Sequence, residues 1–328
     1  MSTTQAAPRR AGSIALIVLV LIAGIGGILY KRDADQSSGA ATGSTAAAKP
    51  DGTDVPPLHT DKDPKAIALL PASFAYAAPG TLTVATHPAL LPLGDYASDG
   101  KRIIGIEPDI AQLLADALGL KLNLVPVAWA DWPLGLESGK YDAVISNVTV
   151  TEERKAKFDF SSYRFDLLGI YTRTEGPLKE ITRPEQVAGL KVAVGAATNQ
   201  DQILRRWDAD NLKKGLKPVE FQYFEDSMIA RLAVITGRAD VSFEPNATGA
   251  FAARDGKVRR VGLFPGGWPQ AAAISVTTRK GSGLADAITQ ALNTQIDNGN
   301  YSKALERWDL IEEAVQRSET NPPGLADL

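Results

Sequence analysis

Residues 136–163 read LESGKYDAVISNVTVTEERKAKFDFSSY, an apolar run that ends in small polar side chains and a single arginine. The run YDAVIS has the length and composition of a buried strand. Asn147 and Thr149 therefore stand at a strand's C-terminal end, where open α/β sheets bind ligands. Thr151 is a candidate N-cap, with Glu152 and Glu153 in the first helical turn where carboxylates suit the dipole. Arg154 follows, and its planar guanidinium matches a carboxylate through two parallel hydrogen bonds. The plainer reading of Arg154 is an ion pair with Asp159 or Glu153.

Outward from this stretch the chain alternates short β-rich and helical runs, the pattern of βαβ units around largely parallel sheets. TLTVAT is a strand, and EPDIAQLLADALG puts Ile110, Leu113, Leu114, Ala117 and Leu118 on one helical face, with Gly119 as its stop. KLNLVPV is a strand and DWPLGLESG a short helix. After LLGIYTR the same grammar begins again with LKVAVG, NQDQILRRW, VEFQYF, DSMIARLAVITG and ADVSF. A last strand AAAISVTTR and two helical runs return to complete the first unit. The expectation is an α/β fold of two lobes, each a mostly parallel sheet flanked by helices, joined by two crossings around a cleft that closes by hinge motion.

The expected organisation assigns 1–10 to an N-terminal cytoplasmic tail, 11–30 to a signal peptide or membrane anchor, and 31–78 to a disordered linker. Lobe 1 then takes 79–173 and 271–312, lobe 2 takes 174–270, and 313–328 is a loose tail. The N-terminal run is about twenty uncharged residues, enough to cross a bilayer at about 1.5 Å per residue. Flanking Arg9, Arg10, Lys31 and Arg32 leave cleavage and anchoring both open. Either way the folded part is expected outside the cytoplasm, in the periplasm or tethered to the inner membrane.

The 328-residue chain is 44% apolar, with a net charge of −3. It can bury a large core, and it lacks the basic excess that nucleic-acid binding needs. There are no cysteines and two histidines, His59 and His87. Thiolate metal sites, thiol nucleophiles and a lipid-carrying cysteine are excluded, and a histidine metal site is not expected. No cofactor is expected. In the second lobe VGAATNQD presents Thr198 and Asn199 at a helix start, whose free N–H groups bind anions. Plain capping would explain Thr198 equally well. One anion site per lobe makes a clamp.

The elements GTLTVATHP, IIGIEPDIAQLLADALGLKLNLVPVAW, LESGKYDAVISNVTVTEERKAKFDFSSY, LKVAVGAATNQ, ITGRADVSFEP and DNGNYSKALERW follow one another in an order that resembles the family 3 extracellular solute-binding proteins of ABC transporters, over about 80–310. This resemblance implies the type II periplasmic binding fold, with hinges expected near 171–174 and 268–271. It implies that Arg154 grips a ligand carboxylate, helped by Thr149 and by the amide at Thr198 or Asn199, with Asn147 lining the site. Trp129 would wall the ligand side chain unless it is simply core, and Leu90 stands where an aromatic ring is common. Where the family usually supplies an aspartate for the ligand's ammonium this chain has Pro245; Glu244, one residue earlier, is the candidate replacement. His87 could add a second cationic group or be structural.

The function so implied is capture of a small carboxylate, an amino acid first, for uptake through ABC permease subunits, by a monomer without catalysis. Two alternatives share the architecture: a cyclohexadienyl or prephenate-type dehydratase using Glu244 as general acid, and a ligand-sensing ectodomain.

Overall fold

The computed structural model describes residues 56–326. The expected tail and membrane segment at 1–30, and 31–55 of the expected linker, lie outside the described residues. No described helix is long and apolar enough to cross a membrane.

In chain order, α1 (Pro64–Ala68) precedes β1 (Thr81–Thr86), a small ribbon of β2 (Asp95–Tyr96) and β3 (Ile103–Ile104), and α2 (Ile106–Ala117). Next come β4 (Lys121–Pro126), α3 (Trp132–Glu137), β5 (Ala143–Val144), α4 (Glu152–Lys155) and β6 (Phe158–Phe165). The second group is β7 (Leu167–Arg173), β8 (Lys191–Val194), α5 (Asn199–Lys213), β9 (Glu220–Tyr223), α6 (Ser227–Ile235), β10 (Val241–Pro245), α7 (Asn246–Ala252) and β11 (Val258–Pro265). The chain closes with β12 (Ala273–Arg279), α8 (Leu284–Asp297) and α9 (Asn300–Arg307).

Two five-stranded sheets result, ordered β4-β1-β5-β12-β6 and β11-β7-β10-β8-β9. In the first, β1 runs parallel to β4 and β5, and β12 returns antiparallel between β5 and β6. In the second, β8 is parallel to β9 and β10, while β7 is antiparallel to β10 and β11. This is the two-lobed type II architecture. The helix α2 buries the face expected of it, Ile110, Leu113, Leu114, Ala117 and Leu118, against α8, α9 and the first sheet. Gly119 ends it at φ 69, the left-handed conformation that a helix stop uses. The second core gathers Trp207 of α5 with Phe243, Phe264 and Trp268.

Three boundaries differ from the sequence expectation. The strand β6 ends at Phe165 in the first sheet and β7 begins at Leu167 in the second, so the first crossing is at Asp166 rather than at 171–174. The apolar run LLGIYTR continues β6 without a turn signal, which is why the sequence assigns it to the wrong lobe. The second crossing spans residues 266–272, between β11 and β12, and contains the expected 268–271.

The linker expectation fails from residue 56 onward. Asp63 caps α1 through the Lys65 amide at 2.9 Å, donates its own amide to Ala117, and accepts 2.6 Å from the Thr294 hydroxyl of α8. Asp-Pro at a helix start is a local signal strong enough to order a polar segment once Ala66 finds a place in the core.

The tail at 313–328 is likewise folded as far as it is described. It bridges Arg164 at Ala314, Ser161 at Thr320 and Thr151 at Leu325. Because β6 is the edge of its sheet, its unpaired main-chain groups need cover, and this segment supplies it. Main-chain pairing leaves little trace in side-chain periodicity.

Candidate functional site

The Thr151 hydroxyl caps α4 by accepting the Arg154 amide at 3.1 Å, which fixes where the Arg154 side chain starts. Its Nη1 donates to the Thr149 carbonyl at 2.8 Å, and its guanidinium carbon lies 5.7 Å from the Trp129 ring and 6.0 Å from that of Trp132. Burial lowers its pKa, opposed by the charges of Glu153 and Asp166, yet a guanidinium stays charged at any ordinary pH. No described carboxylate lies within ion-pair distance of it. Asp159, one of the two expected partners, pairs instead with Lys280 at 3.1 Å.

Asp166 holds the crossing together. Its amide donates to Ala272 at 2.9 Å and its carbonyl accepts Gly266 at 2.8 Å, so the two crossings are tied to each other. Its buried carboxylate accepts 2.9 Å from the Thr149 hydroxyl of lobe 1 and 3.4 Å from the Asn199 carboxamide at the start of α5 in lobe 2. Asn199 also donates to the Gly266 carbonyl. Burial raises the Asp166 pKa, while Thr149, Arg164, Asn199 and Arg154 pull it back.

A second group lies alongside. Asn147, at φ 50 in a left-handed turn that asparagine tolerates, accepts from Arg164. Arg164 is 1% exposed and pairs with Glu313. Burial alone would lower its pKa, and the charges of Glu313, Tyr163, Glu107 and Asp166 together overcome that, raising it. Glu107 sits behind this pair, accepting from Thr86 at 3.3 Å and Tyr163 at 3.5 Å.

Burial pushes the Glu107 carboxyl up to about 7, against the pull of Arg164. Between the ordinary 4.5 and about 7 the native state then holds a proton that the unfolded chain has released. Stability accordingly falls as pH rises through that window and levels off above it. In Glu107→Gln, unfolding free energy measured from pH 5 to 8 is expected to lose this downward component; an unchanged profile would show that Glu107 is not its source.

Of the remaining candidates, Thr198 spends its hydroxyl on its own helix, donating to Gly195 at 2.7 Å and accepting the Asp201 amide at 3.2 Å. The His87 ring bonds the Val127 carbonyl at 2.9 Å, and Leu90 bridges Gly94 in the loop after β1. Glu244 accepts from Ser242 at 2.5 Å and Thr248 at 3.4 Å, with burial raising its pKa. The structure thus joins Arg154, Thr149 and Asn199 around Asp166, with Trp129 against the Arg154 guanidinium, and places Asn147 on Arg164, leaving Glu244, Thr198, His87 and Leu90 with other partners. Arg164, Asp166, Glu107 and Glu313 escaped the sequence reading. Its one available signal was two charges, Arg164 and Asp166, inside the apolar run of β6 and β7.

An unpaired, half-buried guanidinium beside two indoles can hold a small carboxylate, and Asp166, bonded by Thr149 of lobe 1 and Asn199 of lobe 2, joins that place to the crossing between the lobes. The comparisons with known proteins bear on the fold and the family. Residues 82–310 match the model of the bacterial extracellular solute-binding proteins, family 3. The arginine-binding protein ArgT of Corynebacterium glutamicum is 28% identical over 266 residues, 80% of this chain and 84% of that protein. A solved ancestral arginine-binding protein bound to arginine superposes with TM-score 0.62 at 28% identity, covering 70% of this chain and 98% of its own. An ancestral amino acid-binding protein, a precursor of cyclohexadienyl dehydratase, superposes with TM-score 0.61 at 28% identity over 70% and 95%. With more than half of its length matched by the family's model on the fold that the family requires, the chain belongs to the bacterial extracellular solute-binding proteins of family 3.

Proposed function

We propose that this protein captures an amino acid outside the cytoplasm, with L-arginine the first ligand to test, and hands it to the permease of an ABC transporter. The observation that carries this is the line from Arg154 and Thr149 in lobe 1 through Asp166 to Asn199 in lobe 2. Thr149 and Asn199 meet Asp166 from opposite lobes beside Arg154, so a ligand carboxylate held there favours the closed form by its differential affinity for it. Arg154 is the principal anchor, Thr149 and Asn199 assist it, and Trp129 walls the ligand's side chain. The arginine-binding names of similar proteins support arginine as the lead. The apolar run at 11–30 either delivers the chain for export and is removed, or tethers it to the membrane. Binding as a monomer is part of the proposal.

The test is thermal unfolding of the full chain, refolded to strip bound ligand, against a panel of amino acids and of carboxylates without an ammonium group. A ligand present at about a hundred times its dissociation constant adds about 2.7 kcal/mol to the native state. A selective upward shift with L-arginine or another amino acid is the expected result. A flat response across all amino acids would defeat the reading.

A further inference from the structure

The family match ends at Leu310, yet the chain continues as an ordered strap through residues 311–326. This strap reaches the candidate site twice. Leu325 pairs with Val150 and Glu152, either side of Thr151 and beside the anchor Arg154, through main-chain bonds of 3.0 and 2.8 Å. It also packs on Gly267 in the second crossing, where any β-carbon would collide with it. Nearer its start, Glu313 is 3% exposed and gives its Oε2 to Arg164. Burial raises the Glu313 pKa against the pull of Arg164; the nearby charge of Asp166 adds to the rise, and the Asn246 carboxamide of lobe 2, close enough to bond the carboxylate, opposes it.

Two buried acceptor atoms here have no hydrogen-bond partner among the described residues, Glu313 Oε1 and Asn199 Oδ1. A buried acceptor left without a donor is costly, more so on a charged group, so both atoms call for one. Arg164 already opposes the Glu313 charge through Oε2, so Oε1 is the oxygen left to accept from a further charged donor. Thr149 and Asn199 both bond Asp166, whose charge acts on Glu313, and Asn147 and Glu313 share Arg164. In an amino acid the ammonium and the carboxylate share a carbon, which demands that their receptors be neighbours. Pro245, next to Asn246, has no side-chain acceptor to offer.

We propose that the C-terminal strap completes the ligand site and that Glu313 Oε1, carried on it, receives the α-ammonium of the bound amino acid. This rests on the binding function proposed above. The recognition is thereby split, with the carboxylate held by the segment around α4 and by α5, and the ammonium by a segment beyond the family's common core.

Calorimetric titration of the full chain with L-arginine and with 5-guanidinopentanoate, which keeps the carboxylate and guanidinium but lacks the ammonium, tests it. The parent is expected to prefer L-arginine at least tenfold, and Glu313→Gln to reduce that preference below threefold while leaving 5-guanidinopentanoate affinity within threefold. If Glu313→Gln folds poorly, Glu313→Asp keeps the charge but retracts the oxygen by one methylene, and the same narrowing is expected. Preference retained in the variant, or absent in the parent, overturns the role of Glu313. Arg154→Ala separates the two levels: if it loses both probes while Glu313→Gln changes nothing, the carboxylate anchor stands and only the ammonium assignment falls.

Discussion

Arg154→Ala lowers affinity for L-arginine by about a hundredfold or more while the protein unfolds cooperatively near the parent's temperature. The magnitude follows from the chemistry: hydrogen bonds to charged groups contribute about 1.5–3 kcal/mol each, and a bidentate guanidinium–carboxylate pair loses both at once. About 2.7 kcal/mol is a hundredfold in dissociation constant. The fold survives because what Arg154 gives to it is one bond to the Thr149 carbonyl and the faces of Trp129 and Trp132, and no described carboxylate loses an ion-pair partner. Arg154→Lys should fall between, since it keeps the charge and loses the fork. Titration calorimetry on the three proteins checks the order, and equal affinity in Arg154→Ala and parent would remove Arg154 from the site.

What could be read in advance divides along sequence distance. The caps of Thr151 on α4 and Thr198 on α5 involve partners within a few residues, and the buried face of α2 is marked by its own helical period, so spacing alone encodes all three. Arg154 was legible for the same reason, since a strand end, a cap and a first turn specify its place. The partners of Arg164 are 17 and 149 residues away, and nothing in a single chain tells which distant acid will meet a buried arginine. The strap was illegible for a different reason: it binds an edge strand through main-chain groups, which every residue has. Asp166 fell between the two cases. A lone aspartate within an apolar run marks either a surface position or a break between strands, and here it is the break between lobes.

The same logic predicts the opposite behaviour for the other arginine of this region. Arg164→Met is expected to cost about 3–5 kcal/mol of unfolding free energy, because removing one partner of a buried ion pair strands the other. Glu313 would keep a buried charge without its partner, Asn147 would lose its donor, and Glu107 would lose the cation that opposes its desolvation. Volume is roughly conserved by methionine, so cavity formation is not the cause. The double variant Arg164→Met/Glu313→Leu separates the contributions: a buried pair replaced by apolar residues is often neutral or stabilising, so it should recover more than half of the loss. Equilibrium denaturation in urea measures both. A single variant within about 1 kcal/mol of the parent would mean that the strap's acid is not held in the interior by Arg164, and the contrast between an arginine kept for the ligand and one kept for the fold would collapse.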